Sequence, residues 1–231
     1  MGKMKLVRFA EMDTFNHVVQ APFDEVFQKD YKLKGNWNKD FFKNSNPIIL
    51  ELGCGKGEYT IGLAQKYPDY NFIGIDIKGA RMWRGAKTAI ETRMNNVGFL
   101  RTRIDLINSF FAEHEVAEIW ITFPDPQPKK EYKRLTSTRF LGYYQKFLVE
   151  NGIIHLKTDS AELHAYTKKL VELNKLEIDI CTDNLYNSQI ADPMLAIKTF
   201  YEQKFLQKGK PITYLKFKLD IHKKLEEPEE E

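Results

Sequence analysis

The sequence predicts an α/β fold, a doubly wound and mostly parallel sheet. Three observations point there. Short aliphatic runs alternate with stretches of helical spacing, the early runs are apolar enough to be buried on both faces, and the 231 residues, 42% hydrophobic, suffice for a real core. Parallel strands need crossovers, and helices are the usual crossover. Taken in order, 47–52 reads as a buried strand, and the glycine loop 53–57 leads into a helix near 58–67 that stops before Pro68. A second strand at 71–76 is followed by a longer helix from about 79 to 95, and 97–100 makes a short third strand. The fourth strand, 118–123, ends in a proline-rich loop at 124–128. Phe140, Leu141, Tyr144, Phe147 and Leu148 then recur at helical spacing before a fifth strand at 152–158. Leu163, Tyr166, Leu170 and Leu173 mark another helix face, and 177–181 and 212–217 read as late strands. Of these the second alternates more cleanly, which predicts a half-exposed edge. Residues 1–43 show no period and are expected to form an arm or cap; 44–220 form the main domain, and 221–231 an acidic, disordered tail.

The 35 Lys+Arg and 32 Asp+Glu give a formal net charge of +3, unevenly placed. The last six residues hold five carboxylates and no base, which leaves the remainder with 35 bases, 27 acids and a net charge of +8. Residues 78–103 carry seven bases against Glu91 alone, and the run Lys129, Lys130, Glu131, Lys133, Arg134 and Arg139 nets +4. Local patches of this kind, rather than an average, hold a polyanion. Cys54 and Cys181 stand far apart, and none of the five histidines pairs at metal-ligand spacing, so neither a disulfide nor a metal is expected. The longest apolar runs fall far short of the roughly 20 residues that span a bilayer. The basic start, Met1 to Lys5, lacks an apolar export segment, and the cytoplasm is the expected compartment.

The chemistry concentrates at strand ends. In 51–57, a strand closes on Glu51 and Leu52 and runs into Gly53, Gly55 and Gly57 at alternate positions before a helix. Ligands of open α/β sheets sit at the carboxyl ends of the strands, and glycine admits both close approach and positive φ. The spacing differs from the GxGxxG of dinucleotide sites, and an acid directly before it repels a pyrophosphate and welcomes a cation. Asp76 ends the next strand, where a carboxylate accepts hydrogen bonds from ribose hydroxyls; Asp105 follows the third strand, where it accepts from an adenine amino group or serves only as a loop aspartate. An acid, a glycine loop and a second acid suit S-adenosylmethionine, which carries an ammonium, a sulfonium and a ribose. At the exit of the fourth strand Asp125 stands between Pro124 and Pro126, and two fixed φ angles present its carboxylate rigidly.

The combination of Glu51-Leu52-Gly53-Cys54-Gly55-Lys56-Gly57, Gly74-Ile75-Asp76-Ile77-Lys78, Phe123-Pro124-Asp125-Pro126-Gln127-Pro128-Lys129-Lys130, Leu156-Lys157-Thr158-Asp159 and Thr199-Phe200-Tyr201-Glu202 resembles the bacterial tRNA (guanine-N7)-methyltransferases, from about residue 45 to the last strand. The resemblance implies the seven-stranded sheet of class I methyltransferases, with a final antiparallel strand. It implies donor contacts from Glu51, Gly53, Gly55, Asp76, Asp105 and Asp125, a catalytic role for Asp125, and substrate contacts from Lys129, Asp159, Thr199 and Glu202. It also implies methyl transfer from S-adenosylmethionine to N7 of the variable-loop guanine (tRNA position 46). Three positions depart from the family pattern: Gln127 replaces the usual Trp, Glu131-Tyr132 replaces an Arg-His pair, and Asp76 replaces the commoner Glu. Thr199-x-x-Glu202 also fits a helix capping box, a rival to substrate contact.

Guanine N7 carries a lone pair and no proton, so its methylation needs no general base. Asp125 is accordingly expected to orient the base and stabilise developing positive charge. Two other readings stay open on sequence: a methyltransferase of this fold acting on a small molecule or protein, and a non-catalytic RNA-binding module.

Overall fold

The computed structural model describes residues 2–190 and 192–229. The chain folds as α1 Gly2–Met12, β1 Val18–Val19, α2 Phe23–Val26, β2 Ile48–Leu52, α3 Glu58–Lys66, β3 Asn71–Asp76, α4 Gly79–Glu91, β4 Val97–Arg101, β5 Val116–Thr122, α5 Thr138–Tyr144, β6 Leu148–Thr158, α6 Ala161–Leu173, β7 Ile178–Thr182, α7 Phe200–Gln207 and β8 Thr213–Lys218, with short 3-10 turns such as Ile104–Ser109 and Glu131–Lys133 between. Among the described residues no helix is long and apolar enough to cross a membrane.

One eight-stranded sheet has the order β1-β4-β3-β2-β5-β6-β8-β7. Strands from β1 to β6 pair in parallel, and β8 inserts antiparallel to both β6 and β7. The expected α/β class and final antiparallel strand are present, with one more strand than expected, the two-residue β1, which the N-terminal segment adds beside β4.

Alternation along the buried strands sends side chains to two cores. Leu50, Leu52, Ile73, Ile75, Ile119 and Ile121 join the layer that contains α5 and α6 residues, whereas Ile49, Phe72, Phe99 and Trp120 join the layer under α3 and α4. Both faces are thereby covered, as parallel strands require.

Three expectations give way to the structure. The edge strand is β7, half exposed, and β8 lies inside, because the second antiparallel neighbour buries it on both sides. Helix α5 stops at Tyr144, so Phe147 lies beyond it and Leu148 opens β6 opposite Val116, their helical spacing arising from a turn between two elements. The tail expected to be disordered is docked in its described part: Gln145 donates to the carbonyls of Asp220 and Lys223, Asn174 exchanges two hydrogen bonds with Glu226, and Glu227 accepts from the Thr138 amide at 3.1 Å. Glu230 and Glu231 lie outside the described residues.

The N-terminal segment caps one end of the sheet. Glu11 of α1 accepts from Trp83 and Lys87 of α4, Arg8 stacks on Trp83 at 4.7 Å, and α2 follows beyond β1.

A close crossing fixes α4 over the glycine loop. A Cβ on Gly85 would lie 2.6 Å from the Lys56 carbonyl and 2.8 Å from the Phe99 ring, so only glycine fits. Gly85→Ala is expected to cost about 1–3 kcal/mol of stability through overpacking, read as a lowered urea midpoint at unchanged slope.

Candidate active site

The sheet reverses direction of winding between β2 and β5. Helices after β2 and β3 lead to one side and those after β5 to the other, so the loops leaving β2 and β5 diverge and leave a crevice at their carboxyl ends. The glycine loop and the proline loop are those two loops.

Glu51 faces the α3 side of β2 and is only 3% exposed. Its Oε2 accepts from the Thr60 amide at 2.8 Å and from the Thr60 hydroxyl, and its Oε1 accepts from the Thr122 hydroxyl at 2.7 Å. It therefore sits beneath the loop, tying α3 and β5 to β2. Burial pushes its carboxyl up to about 7, against the pull of the Thr60 and Thr122 hydrogen bonds and with help from nearby Asp76.

Above it the loop is wound by three left-handed glycines, Gly53 at φ 76°, Gly55 at 56° and Gly57 at 71°. A Cβ on Gly53 meets no atom within 4 Å, so this face of the loop is open. Asp76 braces the loop by accepting from the Gly55 amide at 2.9 Å and from the Lys78 amide at 2.8 Å. Burial, with Glu51 and Asp76 nearby, pushes the Cys54 thiol well up, which removes it as a nucleophile.

Asp105, in the turn after β4, is held between Arg103 at 3.0 Å and Arg139 at 2.7 Å. A cleft of about 440 Å³ opens between 20–26 and the residues directly after Asp76 and Asp105, with Phe23, Val26, Ile77 and Leu106 among its apolar walls. The N-terminal segment thus supplies one wall of the site.

Asp125 is exposed on the proline loop, where its Oδ1 accepts from the Gln127 amide at 3.2 Å. Its loop is bracketed by two left-handed residues that are not glycine, Phe123 at φ 49° and Gln127 at 47°. Lys129 lies exposed just beyond, and Asp159, at the end of β6, pairs with Lys210 at 3.2 Å.

For Thr199 and Glu202 the sequence left substrate contact and helix capping as rival readings, and the structure shows the cap. They form the reciprocal capping box of α7, and Glu202 is fully buried. Its Oε1 lies 2.8 Å from the equally buried Lys157 Nζ and accepts from the Tyr186 hydroxyl. Lys157 also donates to the carbonyls of Leu195 and Ile197, at 3.0 and 3.1 Å, so one ammonium clamps the segment before α7 onto the end of β6. Burial pulls its pKa down and Glu202 opposes that shift. The large apolar side chains that α7 presents to solvent are Phe200 and Tyr201, at 41% and 47% exposure. Glu58 accepts from the Phe200 amide at 3.0 Å and Lys56 sits 4.2 Å over its ring, which brings these aromatics beside the glycine loop.

Residues 45–215 match a family profile described as "Putative methyltransferase". The tRNA (guanine-N(7)-)-methyltransferase of Bacteroides fragilis (strain YCH46) is 55% identical over 99% of this chain and 91% of its own length. The chain belongs to the tRNA (guanine-N7)-methyltransferase family. The family protein of Christiangramia forsetii is 52% identical over 94% of this chain and 99% of its own. Among solved structures, the 16S rRNA methyltransferase KamB superposes with TM-score 0.62 at 12% identity, over 84% of this chain and 95% of that one, and so shares the fold.

In this methyltransferase the residues that sequence reasoning passed over are the supports: Thr60 and Thr122 for Glu51, Lys157 and Tyr186 for Glu202, and the wall made by 20–26. Thr60 had a detectable signal, lying in the first turn of the helix after the glycines; contacts such as Tyr186 with Glu202 depend on the tertiary fold.

The raised carboxyl of Glu51 has a pH consequence. An acid that is harder to ionise folded than unfolded binds more protons in the folded state between pH 4.5 and about 7, so its contribution is full below 4.5 and is lost as pH rises through 7. Glu51→Gln, which keeps an acceptor for Thr60, removes this dependence. Relative to wild type it should gain up to about 3 kcal/mol between pH 4.5 and 8, at about 1.4 kcal/mol per pKa unit, as measured by urea unfolding at each pH.

Proposed function

We propose that the enzyme transfers the methyl group of S-adenosylmethionine to N7 of a guanine in tRNA, the variable-loop guanine at position 46. The observation that carries this reading is the exposed Asp125 carboxylate, held on a proline-stiffened loop across the crevice from an open glycine loop. The names of the relatives, tRNA (guanine-N(7)-)-methyltransferases throughout, support the substrate.

The residues present fit the donor. The left-handed glycines leave an open face at Gly53 that a side chain would fill, and the carboxylates nearby suit a ligand with an ammonium, a sulfonium and ribose hydroxyls. Gly53 and Gly55 would approach its amino-acid end, Asp76 its ribose, and Asp105 its adenine, with Ile77 and Leu106 as apolar flanks. Glu51 acts from below, through its charge and by fixing the loop. When bound, S-adenosylmethionine would supply a methyl carbon for attack by the lone pair of guanine N7, the S–CH3 bond breaking with its electron pair kept by sulfur, so that the neutral thioether S-adenosylhomocysteine leaves and the positive charge passes to the purine.

Asp125 needs no proton to do its part. A fixed carboxylate orients the guanine through its N1–H and amino group and stabilises the positive charge that develops on the purine. Asp159, on the neighbouring strand end, serves the same base, and Lys129 holds phosphate. Thr199 and Glu202 contribute by holding α7 in place, so that the exposed Tyr201 offers a ring face on which a nucleobase stacks.

Asp125→Ala is expected to abolish transfer of labelled methyl to unmodified tRNA while tRNA affinity in filter binding stays nearly intact; an active variant overturns the assignment. Mapping the labelled base tests the position. Lys129→Ala should weaken tRNA binding and reduce the slope of log affinity against log salt by about one, the signature of one lost phosphate contact.

A further inference from the structure

Arg134 belongs by sequence to the basic run beside the proline loop, yet its side chain is 1% exposed. A guanidinium so placed cannot hold a phosphate at the surface. Its three named hydrogen bonds all go to groups of the protein itself: Nε donates to the Pro126 carbonyl at 3.1 Å, Nη1 to Glu131 at 2.5 Å, and Nη2 to Glu162 at 2.5 Å. The group also stacks 4.4 Å over the Tyr166 ring, whose hydroxyl donates to Glu227 of the docked C-terminal segment.

Pro126 directly follows Asp125, and the peptide it closes lies in the strained stretch between left-handed Phe123 and Gln127. Conformations of this kind persist only where surrounding contacts hold them. On one side the Phe123 amide is held by the Lys157 carbonyl at 2.8 Å. On the other, the Arg134 guanidinium holds Pro126, with the planar fork of arginine reaching a carbonyl and two carboxylates at once. Glu131, where the family pattern has a base, supplies one of those carboxylates, and the departure thereby matches a buried charge.

We propose that Arg134 is a positioning residue for methyl transfer, its buried guanidinium fixing the Pro126 carbonyl and so the direction of the Asp125 carboxylate, with no contact to RNA. The inference rests on the reading of Asp125 as the group that meets the reacting guanine. Misplacement of a reacting group by about 1 Å costs on the order of 100-fold in rate. Arg134→Ala should therefore lower kcat at saturating donor and tRNA by about 10- to 100-fold, with tRNA affinity and its salt slope unchanged. Methylguanidinium added to this variant should restore part of kcat, and methylammonium should not.

Unchanged kcat overturns the proposal, as does a salt slope reduced by about one, which marks a phosphate contact. Should Arg134→Ala fail to fold by circular dichroism, Glu162→Ala removes one anchor from the exposed side; it is expected to lower kcat severalfold at constant tRNA affinity, and no change in kcat overturns the proposal equally. Asp125→Ala, measured in parallel, separates the two claims. If it remains active, the underlying reading fails; if it is inactive while Arg134→Ala keeps full kcat, only the role of Arg134 fails.

Discussion

The carboxylate of Glu51 joins the elements that meet where the sheet reverses its winding. It belongs to β2, accepts from the amide and hydroxyl of Thr60 in α3, and accepts from the Thr122 hydroxyl at the last residue of β5. A buried acid in this position costs desolvation, visible in a carboxyl pushed up to about 7, and each hydrogen bond returns part of that cost. The consequence is geometric. The glycine loop starts one residue after Leu52, and the proline loop starts two residues after Thr122, so the same carboxylate ties together the strands from which both loops leave.

The remaining walls are fixed by charges paired within the protein. Lys157 and Glu202 are both fully buried, and together they hold the chain before α7 to the end of β6. Asp76 spends its oxygens on the amides of Gly55 and Lys78, and Asp105 on Arg103 and Arg139. Asp125 differs. It is exposed, its one hydrogen bond comes from the backbone two residues on, and its orientation is set by its loop. The contrast separates acids that the protein's own amides and guanidinium groups already hold from an acid held only by its own loop.

The central strands, the loops after them and the acids at their ends were legible because they depend on local pattern: apolar runs of buried parallel strands, glycines at alternate positions, an aspartate between prolines. What escaped depends on which distant segment covers a residue. The alternation of 212–217 suggested an edge, but β7 pairs on its far side and turns it into an interior strand. Arg134 looks like its exposed neighbours until Tyr166 of α6 covers it, and Glu202 looks like a surface acid until β6 delivers Lys157. Likewise the five carboxylates of the C-terminus suggested a solvated tail, whereas the amides of Asn174 and Thr138 fix Glu226 and Glu227 against α5 and α6. Composition reports how much charge a segment carries; burial and pairing decide what that charge can do.

The distribution of free charge sharpens the case for a polyanion. In the run beside the proline loop, Arg134 is buried and matched by Glu131, and Arg139 is tied to Asp105, which leaves Lys129, Lys130 and Lys133 exposed. On the opposite flank Arg84 pairs with Glu91, Lys87 with Glu11, and Arg103 with Asp105. Among the described residues at the start of α4, Lys78 and Arg81 are exposed and make no ion pair. Glu227, hydrogen-bonded by Thr138 and Tyr166, keeps its charge and shares a cleft with Lys129 and Lys130, so it offsets part of that group. Lys129, Lys130 and Lys133 on one side and Lys78 and Arg81 on the other therefore flank a crevice with carboxylates at its strand ends. Across that short distance a small cationic donor is favoured inside and a phosphate backbone outside, and the carboxylates that attract the one exclude the other from the floor of the site.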